Sequence, residues 1–140
     1  MATIPKALRA EVRSRAKGRC EYCRSAEIFC GYQFEVDHIK PLAVGGKTIL
    51  DNLALACSNC NGHKNARTAV LDTQTSEMTR VFDPRIDRWL DHFEWIETGL
   101  KIVGKTSVGR ATVNALDMNN GAVVTARAFW ISFGLHPLND

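Results

Sequence analysis

The chain has 140 residues, of which 45% are hydrophobic, a size that accommodates one domain or a small core with an extension. No stretch approaches the roughly 20 uninterrupted apolar residues of a membrane span, and the start of the chain lacks the apolar core of a secretion signal. We therefore expect a soluble, cytoplasmic protein with no membrane contact. The formal net charge is only +3, so the distribution of charge is more informative than its sum.

The amino-terminal segment is predicted to be an amphipathic helix from Pro5 to about Lys17, ending at Gly18. Its apolar residues recur every four positions: Ile4, Leu8, Val12 and Ala16. Basic residues fall on the opposite side of a 3.6-residue turn. Residues 1–25 hold seven basic residues and two acidic ones, whereas residues 72–97 hold three arginines and seven acidic residues. The basic face is either a solvated helix surface or a contact with a nucleic-acid backbone.

Cysteine spacing is the strongest local signal in the sequence. Four of the five cysteines form two CxxC pairs: Cys20, Cys23, Cys57 and Cys60. Each pair lets two thiolates reach one ion from a tight turn, and two pairs complete the Cys₄ shell that zinc prefers in structural sites. Without a signal peptide, a reducing compartment favours thiolate ligation over disulfides. The sequence predicts a structural zinc ion, and the spare Cys30 is expected in a half-buried strand or its turn.

A β-β-α unit is predicted around the second CxxC pair. Residues 32–44 are rich in β-branched and aromatic residues up to Pro41, and a glycine pair follows them, which predicts a strand and then a loop. The run LALAC leads into the second pair. Residues 61–72 are predicted to continue as a short helix.

The carboxy-terminal half contains further secondary structure. Residues 82–89 predict a turn around a proline, residues 92–106 a hairpin that turns near Thr98 and Gly99, and residues 109–118 and 122–134 two helices. Large aromatic residues are expected in its core rather than as platforms for base stacking: Trp89, Trp95, Phe129 and Trp130.

Several polar residues of this half have two interpretations. Arg85, Arg88 and Arg110 are either phosphate contacts or solvated or salt-bridged side chains. His92 and His136 are expected to be structural or solvated.

Residues 20–67 resemble an HNH endonuclease of the ββα-metal superfamily, of the zinc-stabilised type found in bacteria or phage. The resemblance rests on both CxxC pairs, the Asp-His dipeptide in VDHIKP, the glycine pair, the DNLALAC segment and the CNxxK ending. It implies an α+β fold with a zinc-bound nuclease core at residues 19–67. An amino-terminal basic helix at 1–18 and an extension at 68–140, packed on the core, would flank it.

The resemblance also implies a reaction, the hydrolysis of phosphodiester bonds in DNA, with RNA not excluded. This chemistry needs an activated water, a cation that stabilises charge on the phosphate, and in-line positioning. His38 is suited to be the general base because imidazole titrates near neutral pH. By resemblance, Asn52 pins the hairpin loop and orients His38, while Asp37 and Asn61 hold a catalytic Mg²⁺ or Mn²⁺ ion.

The third position of the family name falls on Asn61, nine residues after Asn52, and not on His63. His63 is either a solvated surface residue or a substrate contact. Lys64 is expected to contact the scissile phosphate or its neighbour. By resemblance, Asn65, four residues after Asn61 and on the same helix face, is a further candidate as a cation ligand or a substrate contact.

A second interpretation is a non-catalytic, zinc-containing module that binds DNA or RNA through its basic face. The combination of Asp37, His38 and Asn52 argues against it, because a binding module needs no base beside a carboxylate. An interaction module of a phage or defence system is a third interpretation, and it is compatible with nuclease activity. The sequence leaves open the sequence specificity, the choice between nicking and double-strand cleavage, and the oligomeric state.

Overall fold

The computed structural model describes residues 3–138, which form two compact units. The first unit runs to Thr68 and includes Asp83–Asp87, and the second comprises Ala69–Phe82 and the chain from Arg88 onward. Helices alternate with two-stranded antiparallel sheets, so the fold is α+β, as predicted. Within residues 3–138, none of the helices combines the length and the apolar character that a membrane crossing needs.

The first unit holds three helices and one hairpin: α1 Lys6–Arg15, α2 Glu27–Cys30, β1 Glu35–His38, β2 Leu53–Ala56 and α3 Ser58–Lys64. Strand β1 pairs with β2 so that Glu35 lies opposite Ala56 and His38 opposite Leu53. The long connection between them contains two short 3₁₀ turns, Leu42–Val44 and Leu50–Asn52. The order β1, β2, α3 is the predicted β-β-α unit.

The second unit holds two hairpins and three helices: β3 Ala69–Asp72, β4 Glu77–Arg80, α4 Trp89–His92, β5 Phe93–Ile96, β6 Lys101–Gly104, α5 Ser107–Ala115 and α6 Gly121–Ser132. A short 3₁₀ turn, Glu97–Gly99, joins β5 to β6. This hairpin and the last two helices confirm the sequence prediction for these segments.

Helix α1 is amphipathic, as predicted, with Val12 buried on its inner face and Ile4 buried just before the helix. Three of its basic residues have partners within the protein, and Arg9 donates to the Ile4 carbonyl oxygen at 3.2 Å. Arg13 pairs with Glu27 at 3.0 Å, and the guanidinium of Arg15 donates to the Leu50 carbonyl oxygen at 2.9 Å. These side chains therefore hold the helix in place, a role that helix periodicity alone does not predict.

The prediction of a strand or its turn around Cys30 is wrong. The residue ends the short helix α2, and Gly31 stops the helix in the left-handed conformation with φ 76°. Tertiary contacts hold this turn, since the Glu27 carboxylate accepts the Phe34 amide at 2.6 Å. Burial raises the pKa of the Cys30 thiol to about 11, so it stays protonated and unreactive at neutral pH.

The helix predicted over residues 61–72 ends early. Helix α3 stops at Lys64, Asn65 adopts φ 51°, and residues 69–72 form β3 instead. Burial alternates along this strand, with Val70 and Asp72 buried, which is the period of a half-buried strand. The Asp72 carboxylate closes the hairpin by accepting from the Gln74 amide at 3.1 Å.

Aromatic rings dominate the interior of the second unit. Ring centroids lie 5.1 Å apart between Trp89 and Phe93, 5.4 Å between Trp89 and Trp95, and 4.5 Å between Trp95 and His136. The expectation of a core position holds for Trp89 but is wrong for Phe129, which is 63% exposed. Helix α6 carries apolar residues on all sides, so its sequence does not indicate which face turns inward.

Apart from Arg88, which is exposed, the remaining polar candidates have structural partners. Arg85 pairs with Glu21 in the first unit, and Arg110 pairs with Asp72 at 2.9 Å in the second. His92 Nδ1 lies 2.6 Å from the Thr106 hydroxyl, and His136 Nε2 donates to the Gly99 carbonyl oxygen at 2.9 Å. Arg85 and Arg110 thus take the salt-bridged alternative, and both histidines are structural.

Candidate metal centre and active-site cleft

Four thiols of the first unit converge on one point. Their sulfur atoms all lie within 4.8 Å of one another and are buried: Cys20, Cys23, Cys57 and Cys60. The Sγ atoms of Cys23 and Cys57, one from each pair, are 3.7 Å apart. Tetrahedral zinc with bonds of about 2.3 Å separates its sulfur ligands by about 3.8 Å. The four cysteines are therefore positioned to bind one metal ion.

Backbone hydrogen bonds shape each CxxC turn before any ion is considered. The amide of Cys23 donates to Cys20 Sγ, and the amide of Cys60 donates to Cys57 Sγ, both at 3.4 Å. The second of these bonds also caps the amino terminus of α3. Hydrogen bonds from the other three thiols lower the pKa of Cys23, which favours thiolate character at this sulfur.

The metal centre lies next to the strands that carry the candidate active site. The Glu21 amide donates to the Leu55 carbonyl oxygen and the Glu21 carboxylate accepts the Leu55 amide, both at 2.8 Å. Leu55 lies in β2 and Cys57 immediately precedes α3. An ion bound by the thiols would thus fix β2 and α3 relative to the first CxxC turn.

An open cleft of about 330 Å³ lies on the first unit. It brings together four of the predicted site residues: Asp37, His38, Asn61 and Asn65. The last residues of β1 supply one side, and α3 with the residue that follows it supplies another. The walls are completed by apolar residues: Val36, Pro41, Leu42, Ala43 and Ala66. Asn52, His63 and Lys64 do not line the cleft.

Asp37 is buried and held by two donors. The Tyr22 hydroxyl donates to its Oδ2 at 2.7 Å, and Lys64 Nζ lies 3.0 Å from the same oxygen. Burial raises the pKa of Asp37, while the charge of Lys64 opposes this shift. The carboxylate is therefore fixed in one orientation, and its other oxygen, Oδ1, accepts from Lys64 Nζ at the longer distance of 3.3 Å.

Lys64 is an internal cation, with only 1% of its side chain exposed. Besides pairing with Asp37, its ammonium donates to the carbonyl oxygens of His38 at 3.3 Å and Ile39 at 3.1 Å. A lysine is rarely buried unless it is paired. Its partners here are the end of β1 and the carboxylate of Asp37, whereas the sequence predicted a phosphate contact.

His38 is half-buried at the end of β1, and its Nε2 lies 2.9 Å from the Thr48 hydroxyl. Within residues 3–138, no hydrogen bond to Nδ1 is present. Thr48 was not among the predicted residues. The signal that could have found it is a hydroxyl residue two positions after the glycine pair, in the loop that follows the histidine.

Asn52 clamps the connection between β1 and β2. Its Oδ1 accepts the Lys40 amide at 2.8 Å, and its Nδ2 donates to the carbonyl oxygens of Lys40 at 3.0 Å and Lys47 at 2.9 Å. The loop closes so tightly that a Cβ at Gly46 would lie 1.7 Å from the Lys40 carbonyl oxygen, so only glycine fits. Asn52 therefore holds the loop that carries Thr48, whose hydroxyl contacts His38.

The side chains of α3 divide into two groups. Asn61 lines the cleft, and its Nδ2 donates to the Glu35 carboxylate on β1. His63 is exposed, and its Nδ1 lies 2.8 Å from the Asn59 carbonyl oxygen of the same helix, away from the cleft. Glu35 was also missed, although the pattern Glu-x-Asp places two carboxylates on one face of a strand.

The donor set of the cleft suits a hard divalent cation. Asp37 and Asn61 each offer a side-chain oxygen, and oxygen ligands favour magnesium or manganese over softer metals. The imidazole of His38 lines the same cleft. The arrangement thus combines candidate cation ligands with a group able to accept a proton.

Comparison with known proteins gives one match. The family model for HNH endonuclease matches residues 20–67, which contain both CxxC pairs and every cleft residue. No curated protein and no solved structure matches the chain. The match indicates a nuclease or related function acting on nucleic acid. Residues 20–67 of this chain form a domain of the HNH endonuclease family.

Proposed function

We propose that this chain is a metal-dependent endonuclease that hydrolyses phosphodiester bonds in DNA. His38 is the general base, and Asp37 and Asn61 hold a Mg²⁺ or Mn²⁺ ion. The observation that carries this proposal is the shared cleft, in which these three side chains meet although Asn61 lies on a different element from the other two. The family match makes a nucleic acid the natural substrate.

The role of His38 follows from its contact with Thr48. When Nε2 carries the proton and donates it to the Thr48 hydroxyl, Nδ1 keeps its lone pair. Nδ1 is then the atom that takes a proton from the attacking water. The ring is held at the end of β1 on one side and by the Asn52-clamped loop on the other, which provides the orientation that a general base needs.

Asp37 is prepared for a cation by its neighbours. Burial and the adjacent Asp37 charge raise the pKa of Tyr22 well above its usual value, so its hydroxyl stays protonated as a donor. The charge of Lys64 opposes the rise in the pKa of this buried carboxyl group and holds it in place. A divalent cation bound there stabilises negative charge on the phosphate and on the leaving oxygen.

The four thiols hold a structural zinc ion in this proposal. Zinc prefers a closed shell of four cysteines in such sites, and the burial of all four leaves no open position for substrate. All five cysteines are free thiols, which fits a reducing, cytoplasmic environment. We assign residues 19–67 to the catalytic core, flanked by residues 1–18 and 68–140.

The direct test is cleavage of supercoiled plasmid by the zinc-loaded protein with Mg²⁺ or Mn²⁺, and with EDTA as the control. We expect nicked or linear DNA only when a divalent cation is present. A structured RNA of similar length, treated in parallel, tests the preference for DNA. Intact plasmid under all conditions, with DNA still retarded in a gel-shift assay, would contradict the proposal and favour the non-catalytic binding module.

A further inference from the structure

The residues that line the cleft do not by themselves supply the negative charge that a divalent cation needs. Asp37 is the one carboxylate among the described lining residues, and its charge is balanced by Lys64 at 3.0 Å. Asn61 and Asn65 are neutral, and His38 must be neutral to act as a base. The lining therefore offers a divalent cation little net negative charge, although hard cations rely on carboxylates for affinity.

Glu35 supplies a carboxylate at the edge of this cleft. It lies two residues before Asp37 on β1, so both side chains project from the same face of the strand. Its carboxylate accepts the Nδ2 hydrogen of Asn61, which lines the cleft. Within residues 3–138, no lysine, arginine or histidine forms an ion pair with Glu35, so its charge is not cancelled.

The contact also fixes which end of the Asn61 amide would be available to an ion. A carboxamide carries two donor hydrogens on nitrogen and its acceptor sites on oxygen. A carboxylate accepts hydrogen bonds only, so Glu35 selects the nitrogen of Asn61 and leaves Oδ1 for the cation. Mutation of a partner that orients a metal ligand in this way typically costs about 10- to 100-fold in metal affinity or activity.

We propose that Glu35 is a positioning residue for the divalent cation, acting through Asn61 and supplying the negative charge that the Asp37–Lys64 pair lacks. This inference rests on the cation site of the proposed function. It assigns a role to an exposed side chain that would otherwise be a solvated residue on a strand. A solvated carboxylate could be changed without consequence for metal binding.

The test measures Mn²⁺ affinity by electron paramagnetic resonance of the free ion, using zinc-loaded protein without nucleic acid. Glu35→Gln removes the charge but keeps an oxygen that can accept from Asn61, whereas Glu35→Ala removes both. Glu94→Gln is the matched control, because Glu94 is an exposed strand carboxylate of the second unit. Zinc content and melting temperature verify that each variant is folded.

We expect Glu35→Gln to weaken Mn²⁺ binding by about 10- to 100-fold, the usual effect of losing a partner of a metal ligand. Glu35→Ala should weaken Mn²⁺ binding further. The difference in Mn²⁺ affinity between the two variants measures the contribution that comes from orienting Asn61. Glu94→Gln should bind Mn²⁺ like the wild type.

Wild-type Mn²⁺ affinity in both Glu35 variants would overturn the inference, as would a wild-type protein that binds no Mn²⁺. Failure of the proposed function can be distinguished from these results. If the wild type leaves plasmid intact while Glu35→Gln still weakens Mn²⁺ binding, then the nuclease proposal fails and the role of Glu35 stands.

Discussion

The two units of the molecule have interiors of different chemistry. The first buries four thiols together with the charged pair of Asp37 and Lys64. The second packs rings against rings, and its buried Arg127 donates to the carbonyl oxygen of Met118 at 2.7 Å while stacking over Trp95. We therefore expect the stability of the first unit to depend on the proposed metal ion and on matched charges, and that of the second to depend mainly on apolar burial.

Intrinsic probes separate the two units. Both tyrosines, Tyr22 and Tyr32, lie in the first unit, and all three tryptophans lie in the second. NMR spectra of protein with ring-labelled tyrosine and tryptophan therefore report on each unit separately.

Removing a thiol ligand should have the largest effect. Cys57→Ser is expected to lose the single zinc ion and the dispersed tyrosine signals, because binding of structural zinc contributes about 10 kcal/mol or more to small metal domains. The tryptophan signals should remain dispersed. Metal analysis and the two labelled spectra provide the measurement, with Cys30→Ser as the control because Cys30 lies outside the cluster. A Cys57→Ser protein with native tyrosine signals and no zinc would contradict the dependence on metal.

Removing the buried ammonium should be the next largest change. Lys64→Met leaves Asp37 without its cation, and loss of one partner of a buried ion pair costs roughly 3–5 kcal/mol. Lys101→Met is the matched control in the second unit, since Lys101 and Glu97 are about half exposed and 3.6 Å apart. Such surface pairs contribute about 0–1 kcal/mol. Urea denaturation measures the free energy of unfolding of both variants. Equal losses of stability would refute the distinction between buried and exposed charge.

The pair of Asp72 and Arg110 in the second unit should give a smaller, pH-dependent effect. A hydrogen bond from Arg110 lowers the pKa of Asp72 below its ordinary 3.8. A depressed carboxyl pKa stabilises the fold above pH 3.8 and loses this contribution as pH falls through the folded value. Asp72→Asn should therefore be less stable than the wild type at pH 7, and the difference in their free energies of unfolding should narrow toward pH 3. A gap that widens on acidification would contradict the pairing.

The smallest change expected concerns the loop next to His38. Thr48→Val removes the acceptor of Nε2 without changing the size of the side chain, and one hydrogen bond contributes about 1 kcal/mol. The rate of plasmid cleavage should fall roughly 5- to 10-fold, since 1.4 kcal/mol corresponds to a factor of ten. Thr48→Ser keeps the hydroxyl and should stay close to the wild type. Equal rates for Thr48→Val and Thr48→Ser would show that this contact does not orient the ring.

The sequence predicts the parts of the molecule that depend on local spacing. Two CxxC pairs predict one metal cluster because each pair forms its own turn, and the periodicity of α1 predicts its buried face. The β3 strand was missed because no glycine or proline separates it from α3. Only the φ of 51° at Asn65 ends the helix there.

Tertiary contacts explain the remaining differences between sequence and structure. Lys64 was expected near phosphate because it ends the CNxxK motif of the resemblance, and its burial follows from a carboxylate on another element. Glu35 and Thr48 lie near the motif, but their partners, Asn61 and His38, are distant in sequence or separated by a loop. Such pairings depend on the register of β1 with β2 and on the docking of α3, which a single sequence does not specify.

In the proposed mechanism, His38 accepts the proton from water in the cleft of the first unit. The most direct measurement compares plasmid cleavage rates of His38→Ala and His63→Ala at saturating Mn²⁺, with both proteins loaded with zinc. We predict that His38→Ala loses roughly 10²- to 10⁴-fold in rate, as expected for removal of a general base, while His63→Ala stays close to the wild type. Wild-type cleavage by His38→Ala, or an equal loss in both variants, would contradict this mechanism.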